Sequence, residues 1–349
     1  MRRSLVLVCA VALVMLFACA KKMLPPNPDR FAPRLQGVET KTRSQITLVF
    51  DEEINGAKLR PDSFLVTGPS GETLALRGAS LGGDMREVQL WTPIQEVKLY
   101  EVRGVVADRT GNQARFRARF RGSSMQDTIA PRVASVEPAP GATRQKLGVR
   151  IRVKFSEPVD TSVVVRSMFV PLGYDTLFKR SWSTDWQTLN FARLDTVPGG
   201  ANIYFMVQPG ARDLEGNRAQ APAFTYFTSD TILDAVAVKG RALGIGALKT
   251  GAVFFTESAA VRVITDSLQP PRTESLPVRT TGLAPILADG SFATRLRKGE
   301  YEVIAAADTN GDGLAELVST PVRFNTELES LSLSLLPEPL PQHLDAYRR

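Results

Sequence analysis

Apolar and polar residues alternate with a period of two along much of the chain. Arg150-Ile151-Arg152-Val153-Lys154-Phe155 sets basic residues on one face and apolar ones on the other. Arg115-Phe116-Arg117-Ala118-Arg119-Phe120-Arg121 does the same. This is the mark of a half-buried strand. Clusters of glycine, proline, asparagine and aspartate, such as Gly68-Pro69-Ser70-Gly71 and Pro198-Gly199-Gly200, punctuate the alternation and read as turns. No stretch holds a helical period over a dozen residues. Short strands at this density, about seven per 100 residues, predict β-sandwiches and an all-β chain.

The pattern also repeats on a larger scale. Ile46-Thr47-Leu48-Val49-Phe50 followed by Asp51-Glu52 returns as Ile151 to Phe155 followed by Ser156-Glu157. Asp108-Arg109-Thr110-Gly111-Asn112 returns as Asp213-Leu214-Glu215-Gly216-Asn217. Phe50 to Phe155, Asp108 to Asp213 and Asn112 to Asn217 share an offset of 105, and Ala32-Pro33-Arg34 recurs as Ala130-Pro131-Arg132 at an offset of 98. Solenoid repeats run about 20–50 residues, so this spacing predicts duplication of a whole domain. In the Asp-x-x-Gly-Asn turn, aspartate caps through its own side chain while glycine and asparagine tolerate positive φ. Asp108, Asn112, Asp213 and Asn217 are therefore expected to be structural.

Three motifs in the second unit carry a resemblance: Ala130-Pro131-Arg132-Val133, Phe155-Ser156-Glu157-Pro158-Val159-Asp160, and Ala211 to Asn217. Together they resemble the bacterial Ig-like domains of surface and S-layer-associated proteins, and the first unit is similar at its opening and its closing turn. The third region resembles the transthyretin-like, carboxypeptidase-regulatory type of β-sandwich through Asp289-Gly290-Ser291-Phe292 and Gly299-Glu300-Tyr301-Glu302-Val303. The expected architecture is three tandem β-sandwich domains, at residues 31–124, 125–230 and 231–336, with a flexible tail over 337–349.

At the N-terminus, Arg2-Arg3 precede an apolar run from Leu5 to Ala18. The run is shorter than the roughly 20 residues of a membrane-spanning helix and fits the core of a signal peptide. Its end, Leu16-Phe17-Ala18-Cys19, resembles the lipobox of bacterial lipoproteins. The resemblance implies cleavage after residue 18, diacylation of Cys19 and a membrane partner reached through that lipid. An ordinary secretory peptide is the alternative. Residues 19–30, with Pro25, Pro26 and Pro28, would form a stiff tether. Ala20 after the cysteine implies the outer membrane if the cell is Gram-negative, facing the periplasm or the cell surface.

Composition narrows the chemistry. The 349 residues contain two cysteines and one histidine, and 23% are charged. Cys9 leaves with the signal and Cys19 takes lipid, so no disulfide is expected within the domains. The sole histidine, His343, lies in the tail, which removes the base from a Ser-His-Asp or Cys-His arrangement. No G-x-S-x-G, H-E-x-x-H or phosphate-binding loop occurs. Lys249-Thr250-Gly251 matches a fragment of the penicillin-recognising signature without its S-x-x-K partner and reads as a turn before a strand. Paired carboxylates leave a glycoside hydrolase as the remaining enzymatic alternative, and the expectation is a protein that is not an enzyme.

Two further features admit ligands. Asp308, Asn310, Asp312, Leu314 and Glu316 follow the front of a calcium loop, D-x-N-x-D-G-x-x-E, with hard oxygens at alternating positions and Gly313 to turn the chain. A hairpin built on Asn-Gly and Asp-Gly is the plain alternative, and no other cofactor is expected. Arg115, Arg117, Arg119 and Arg121 share one strand face and form a stripe for an anionic ligand, or a solvated face that keeps an edge strand from pairing. Trp91, Trp182 and Trp186 either stack on an envelope polysaccharide or pack inside. Removing Arg2 and Arg3 lowers the net charge from +7 to +5. Without aromatic platforms among the basic residues, nucleic acid is not an expected partner. A glycan or protein of the cell envelope is.

Overall fold

A computed structural model describes residues 29–145, 150–163, 165–170, 178–193, 202–258, 261–265, 273–277, 280–328 and 330–338. Cys19, most of the tether and the tail beyond residue 338 lie outside them. The described chain is all-β, with two short 3-10 turns at Gly56–Lys58 and Pro61–Ser63.

The first unit contains β1 (Leu35–Thr42), β2 (Gln45–Phe50), β3 (Phe64–Thr67), β4 (Thr73–Leu74), β5 (Gly78–Leu81), β6 (Glu87–Trp91), β7 (Leu99–Ala107) and β8 (Gln113–Arg121). They form two four-stranded sheets, ordered β1-β2-β6-β5 and β4-β3-β7-β8. Ile46, Leu48 and Phe50 of β2 meet Val66, Val102 and Phe120 from the facing sheet in one core. This is the sandwich that the alternation predicts, since a sheet with one apolar face must bury it against another.

The second unit contains β9 (Val133–Glu137), β10 (Arg150–Phe155), β11 (Ser167–Val170), β12 (Phe178–Trp182), β13 (Thr188–Arg193), β14 (Asn202–Val207) and β15 (Ala223–Thr228). Its sheets are ordered β12-β13-β10-β9 and β11-β14-β15. On β10, Ile151, Val153 and Phe155 are buried while Arg150, Arg152 and Lys154 are exposed. Strand β14 does not alternate, for every residue of Asn202-Ile203-Tyr204-Phe205-Met206-Val207 is buried. Ile203, Phe205 and Val207 enter the core of the second unit. Tyr204 and Met206 enter the core of the third. A strand covered on both faces reads as a continuous apolar run.

The third unit contains β16 (Val236–Leu243), β17 (Thr250–Glu257), β18 (Val261–Thr265), β19 (Thr273–Pro277), β20 (Gly282–Pro285), β21 (Ser291–Leu296), β22 (Glu300–Asp308), β23 (Leu317–Ser319), β24 (Val322–Asn325) and β25 (Leu331–Leu336). A continuous sheet path runs β20-β17-β22-β23-β25-β16-β21, β24 adds to β22, and β18 pairs with β19. All these pairings are antiparallel except β16 with β25. Gly290, at φ +82°, sits where the chain turns from β20 toward β21, and a Cβ there would lie 2.5 Å from the Ala242 carbonyl oxygen.

The two junctions are built differently. Between the first and second units, Arg43 Nε donates to Glu215 Oε2 at 2.7 Å, with the Glu215 side chain only 1% exposed. The Arg77 guanidinium lies over the Trp186 ring, 5.3 Å from its centroid. Gly78 comes so close to the second unit that a Cβ would stand 2.7 Å from the Asp185 carbonyl oxygen. Between the second and third units, Met168, Val170, Tyr204 and Met206 join Phe254, Leu283 and Tyr301 in a single apolar cluster.

Candidate functional site

The duplicated Asp-x-x-Gly-Asn turns fold alike. Asp108 Oδ1 accepts the amides of Gly111 and Asn112 at 2.5 and 2.8 Å, and Asn112 Nδ2 donates to Asp108 Oδ2 at 2.8 Å. Asp213 Oδ1 accepts the amides of Glu215 and Asn217, both at 2.8 Å, and Asn217 Nδ2 donates to Asp213 Oδ2 at 2.7 Å. The structural roles expected for the four residues are met, with one correction. Only the glycines, Gly111 at φ +102° and Gly216 at +91°, take the left-handed conformation. The asparagines work through their side chains: Asn112 Nδ2 also donates to the carbonyl of Asp29, and Asn217 Nδ2 to that of Asp127, each at 2.9 Å. Each turn thus clamps the segment that leads into its own domain.

That clamp gathers carboxylates that no local motif marks. Asp29, Glu52 and Asp108 bring carboxylate oxygens within 4.8 Å of one another, and Asp127, Glu157 and Asp213 do the same in the second unit. The triads keep the repeat offsets, 105 for the glutamates and closing aspartates and 98 for the leading aspartates. Their electrostatics differ in degree. Burial, then the charges of Asp127 and Asp213, pushes Glu157 up to about 7. Glu52 is also raised, by burial and then by Asp29 and Asp108. Asp108 goes the other way, since hydrogen bonds from Asn112, Thr110 and Gly111 outweigh burial and hold it below the usual carboxylate value.

The loop at residues 308–316 gathers a third set of carboxylates, Asp308, Asp312 and Glu316, again within 4.8 Å. It leaves β22 and returns into β23 with no helix on either side. Asp308 Oδ1 and Oδ2 accept the amides of Gly311 and Gly313 at 2.5 and 2.8 Å. Asn310 Oδ1 accepts the Asp312 amide, and Asp312 Oδ1 that of Leu314, each at 2.7 Å. Glu316 Oε2 accepts the Thr309 amide at 2.7 Å. The Leu314 amide, the Asn310 side chain and then the Arg166 charge hold Asp312 below its usual value. The loop therefore offers converging hard oxygens of the type calcium takes, and its amides already satisfy one side of each acceptor.

Arg115, Arg117, Arg119 and Arg121 lie exposed on one face of β8, with Phe120 buried and Phe116 half-buried opposite. β8 is an edge strand. Glu101 of the neighbouring β7 holds Arg117 Nη2 at 2.7 Å and lies 3.9 Å from Arg119 Nε, so half the stripe is already partnered. Trp91 is 5% exposed, Trp182 packs beside Phe155 with ring centroids 6.1 Å apart, and Trp186 lies under Arg77. Trp91 is thus buried, Trp182 packs half-buried against the core of the second unit, and Trp186 lies half-buried at a domain junction. Thr250 opens β17, so Lys249-Thr250-Gly251 marks a strand entry.

Residues 127–229 match the family model of the bacterial Ig-like domain. The match covers the second unit, whose sandwich, turn and triad are described above. The outer cell wall protein of Brevibacillus brevis is 25% identical over 142 residues, which make up 39% of this chain and 14% of that protein. Among solved structures, domains 1–6 of the surface layer protein SbsC align with 86% of this chain and 41% of that one, at 11% identity and a TM-score of 0.26. Dimeric latent PorU from Porphyromonas gingivalis aligns over 86% and 32%, at 8% identity and a TM-score of 0.31. The chain spans less than half the length of each of these proteins.

Proposed function

We propose that the chain is a non-catalytic structural or binding module of the cell envelope, held at a membrane by lipid on Cys19. The observation that carries this reading is the pair of built junctions: a buried ion pair joins the first two units, and a shared apolar core joins the last two. Such connections suit a spacer that transmits position along its length, whereas domains linked by bare flexible segments default to relative motion. The match to the bacterial Ig-like domain and the similarity to an outer cell wall protein support an envelope location. Two acyl chains would supply the two-signal anchoring that one chain does not.

Metabolic labelling with palmitate and fractionation of cells making the full chain test the anchor. Label on the wild type, lost in Cys19→Ser together with membrane association, is the expected result; an unlabelled, soluble wild type overturns it. A glycan array probed with the full chain separates spacer from receptor, since a saturable glycan ligand would move the reading from structural to binding module.

We propose that the loop at 308–316 binds a calcium ion, with Asp308, Asp312 and Glu316 as carboxylate ligands and Asn310 as an amide ligand. Calorimetry should give a heat of binding at millimolar calcium that Asp312→Ala removes; no heat in the wild type leaves the loop a plain hairpin.

A further inference from the structure

Where the second unit meets the third, a polar cavity of about 160 Å³ opens between Arg166, Arg212 and Arg218 on one side and Thr250 and Asp308 on the other. One water needs about 10–15 Å³ of such space, so the cavity takes a group of several heavy atoms. Two polar groups of its lining residues, packed just behind the wall, lack what buried groups normally have. The Thr250 hydroxyl, on a residue 6% exposed, and Nη1 of Arg166 are both shut off from solvent without a hydrogen-bond partner. Leaving a buried donor unmatched costs about 1–3 kcal/mol, and more when it is charged.

The remaining groups point to the sign of the missing partner. None of the three guanidinium groups forms an ion pair among the described residues. Arg212 donates to the Gly216 carbonyl and Arg218 to that of Pro209. Asp308, the one acid on the wall, accepts the amides of Gly311 and Gly313, one on each oxygen. Those two glycines lie in the left-handed region, and a Cβ on Gly313 would overlap the Arg166 guanidinium, while one on Gly311 would crowd that of Arg218. Glycine therefore lets both cations come up against the loop backbone at the cavity wall.

We propose that this cavity binds a small oxyanion of the phosphate type, bridging the second and third units. Three guanidinium groups ring the space, and arginine forks suit phosphoryl oxygens; the Thr250 hydroxyl and Arg166 Nη1, closed to solvent, gain a partner by turning toward the anion. The inference does not depend on calcium in the neighbouring loop or on the anchor at Cys19.

The test is titration of the full chain with inorganic phosphate by calorimetry and thermal unfolding, in EDTA and against chloride of equal ionic strength. The expected result is saturable binding of one phosphate per chain with a rise in Tm. Arg166→Gln should weaken binding about tenfold or more, the loss of one charge-assisted hydrogen bond. Thr250→Val keeps the shape of a buried residue and should weaken it several-fold without lowering Tm in the absence of phosphate. Arg152→Gln, on an exposed strand face away from the cavity, should leave binding unchanged. Glycerol 3-phosphate distinguishes the source: equal or tighter binding points to an esterified headgroup or polymer phosphate, and exclusion points to the free ion. No saturable response to phosphate, or a response unaltered in both Arg166→Gln and Thr250→Val, overturns the proposal.

Discussion

The junction between the first and second units and the junction between the second and third join sandwiches of similar size by opposite means. At the first, contact is polar and local: one ion pair, one cation–π contact and one glycine against a carbonyl. At the second, the sheet β11-β14-β15 turns its outer face into the core of the next unit, so Tyr204 and Met206 belong to that core while Phe205 between them belongs to the other. A polar junction holds position while leaving each unit its own core; a shared core makes two units unfold together. The chain is thus expected to melt as a one-domain body and a two-domain body.

The largest effect should come from Tyr204→Ala. Tyr204 is 1% exposed, and its hydroxyl donates to the Arg295 carbonyl at 2.6 Å. Truncating a buried aromatic costs about 3–5 kcal/mol. Denaturant unfolding followed by calorimetry should show the second and third units destabilised together, with the first unit's transition in place. A loss confined to one of the two would break the picture of a shared body.

Arg43→Met tests the other junction. It strands the Glu215 carboxylate, whose Oε1 already has no partner, in a site with almost no solvent. Breaking a fully buried pair costs about 3–5 kcal/mol, and since Arg43 is itself partly exposed the expected loss is about 2–3 kcal/mol. It should appear as looser coupling of the first unit, measured as faster proteolysis of the segment around Met125, whose carbonyl accepts the Arg43 amide. Arg43→Met with Glu215→Leu should recover much of the loss.

These junctions also show where the sequence stops being legible. The sandwiches follow from alternation alone, as β10 illustrates with three buried and three exposed residues in strict order. β14 defeats that rule because both of its faces are covered, and Asn202 to Val207 reads as any apolar segment until the neighbouring unit is in place. Glu215 carries no signal either. It occupies the position of Thr110 in the duplicated turn, where the hydroxyl bonds back to Asp108, and only the fold shows it reaching Arg43. The acidic triads were within reach: asking which carboxylates keep both repeat offsets returns Asp29 with Asp127, Glu52 with Glu157 and Asp108 with Asp213. The turn motif by itself speaks only for its local hydrogen bonds, whereas the amide of its asparagine holds the linker.

Asn217→Ala and Asn112→Ala sharpen the comparison at the level of that clamp. Each removes a side-chain bond to the leading segment, to Asp127 in one case and Asp29 in the other. A hydrogen bond of this kind contributes about 0.5–1.5 kcal/mol. Asn217→Ala should cost more, because its contact with Asp127 is part-buried and lies at a junction between two domains, whereas the Asn112 contact with Asp29 is exposed. Amide hydrogen exchange across residues 125–132 and 29–34 reads the two effects separately.

The smallest effect concerns the triads themselves and has a sign opposite to that of most native carboxylates. Glu157 titrates at about 7 in the folded chain against 4.5 as its ordinary value. Between those pH values the folded state binds more protons than the unfolded one, so stability falls as pH rises from 4.5 to about 7 and then levels off. At 1.36 kcal/mol per unit, reduced for the solvent that reaches this half-buried group, the decline is about 1–2 kcal/mol. Glu157→Gln should flatten that slope and leave the chain at least as stable at pH 8. Glu52→Gln should change the slope less, because solvent reaches Glu52 more freely than Glu157 and screens its charge. Chemical denaturation of the two variants at pH 5 and pH 8 decides it, and equal slopes would mean that the domain junction adds nothing to the charge environment of the second triad.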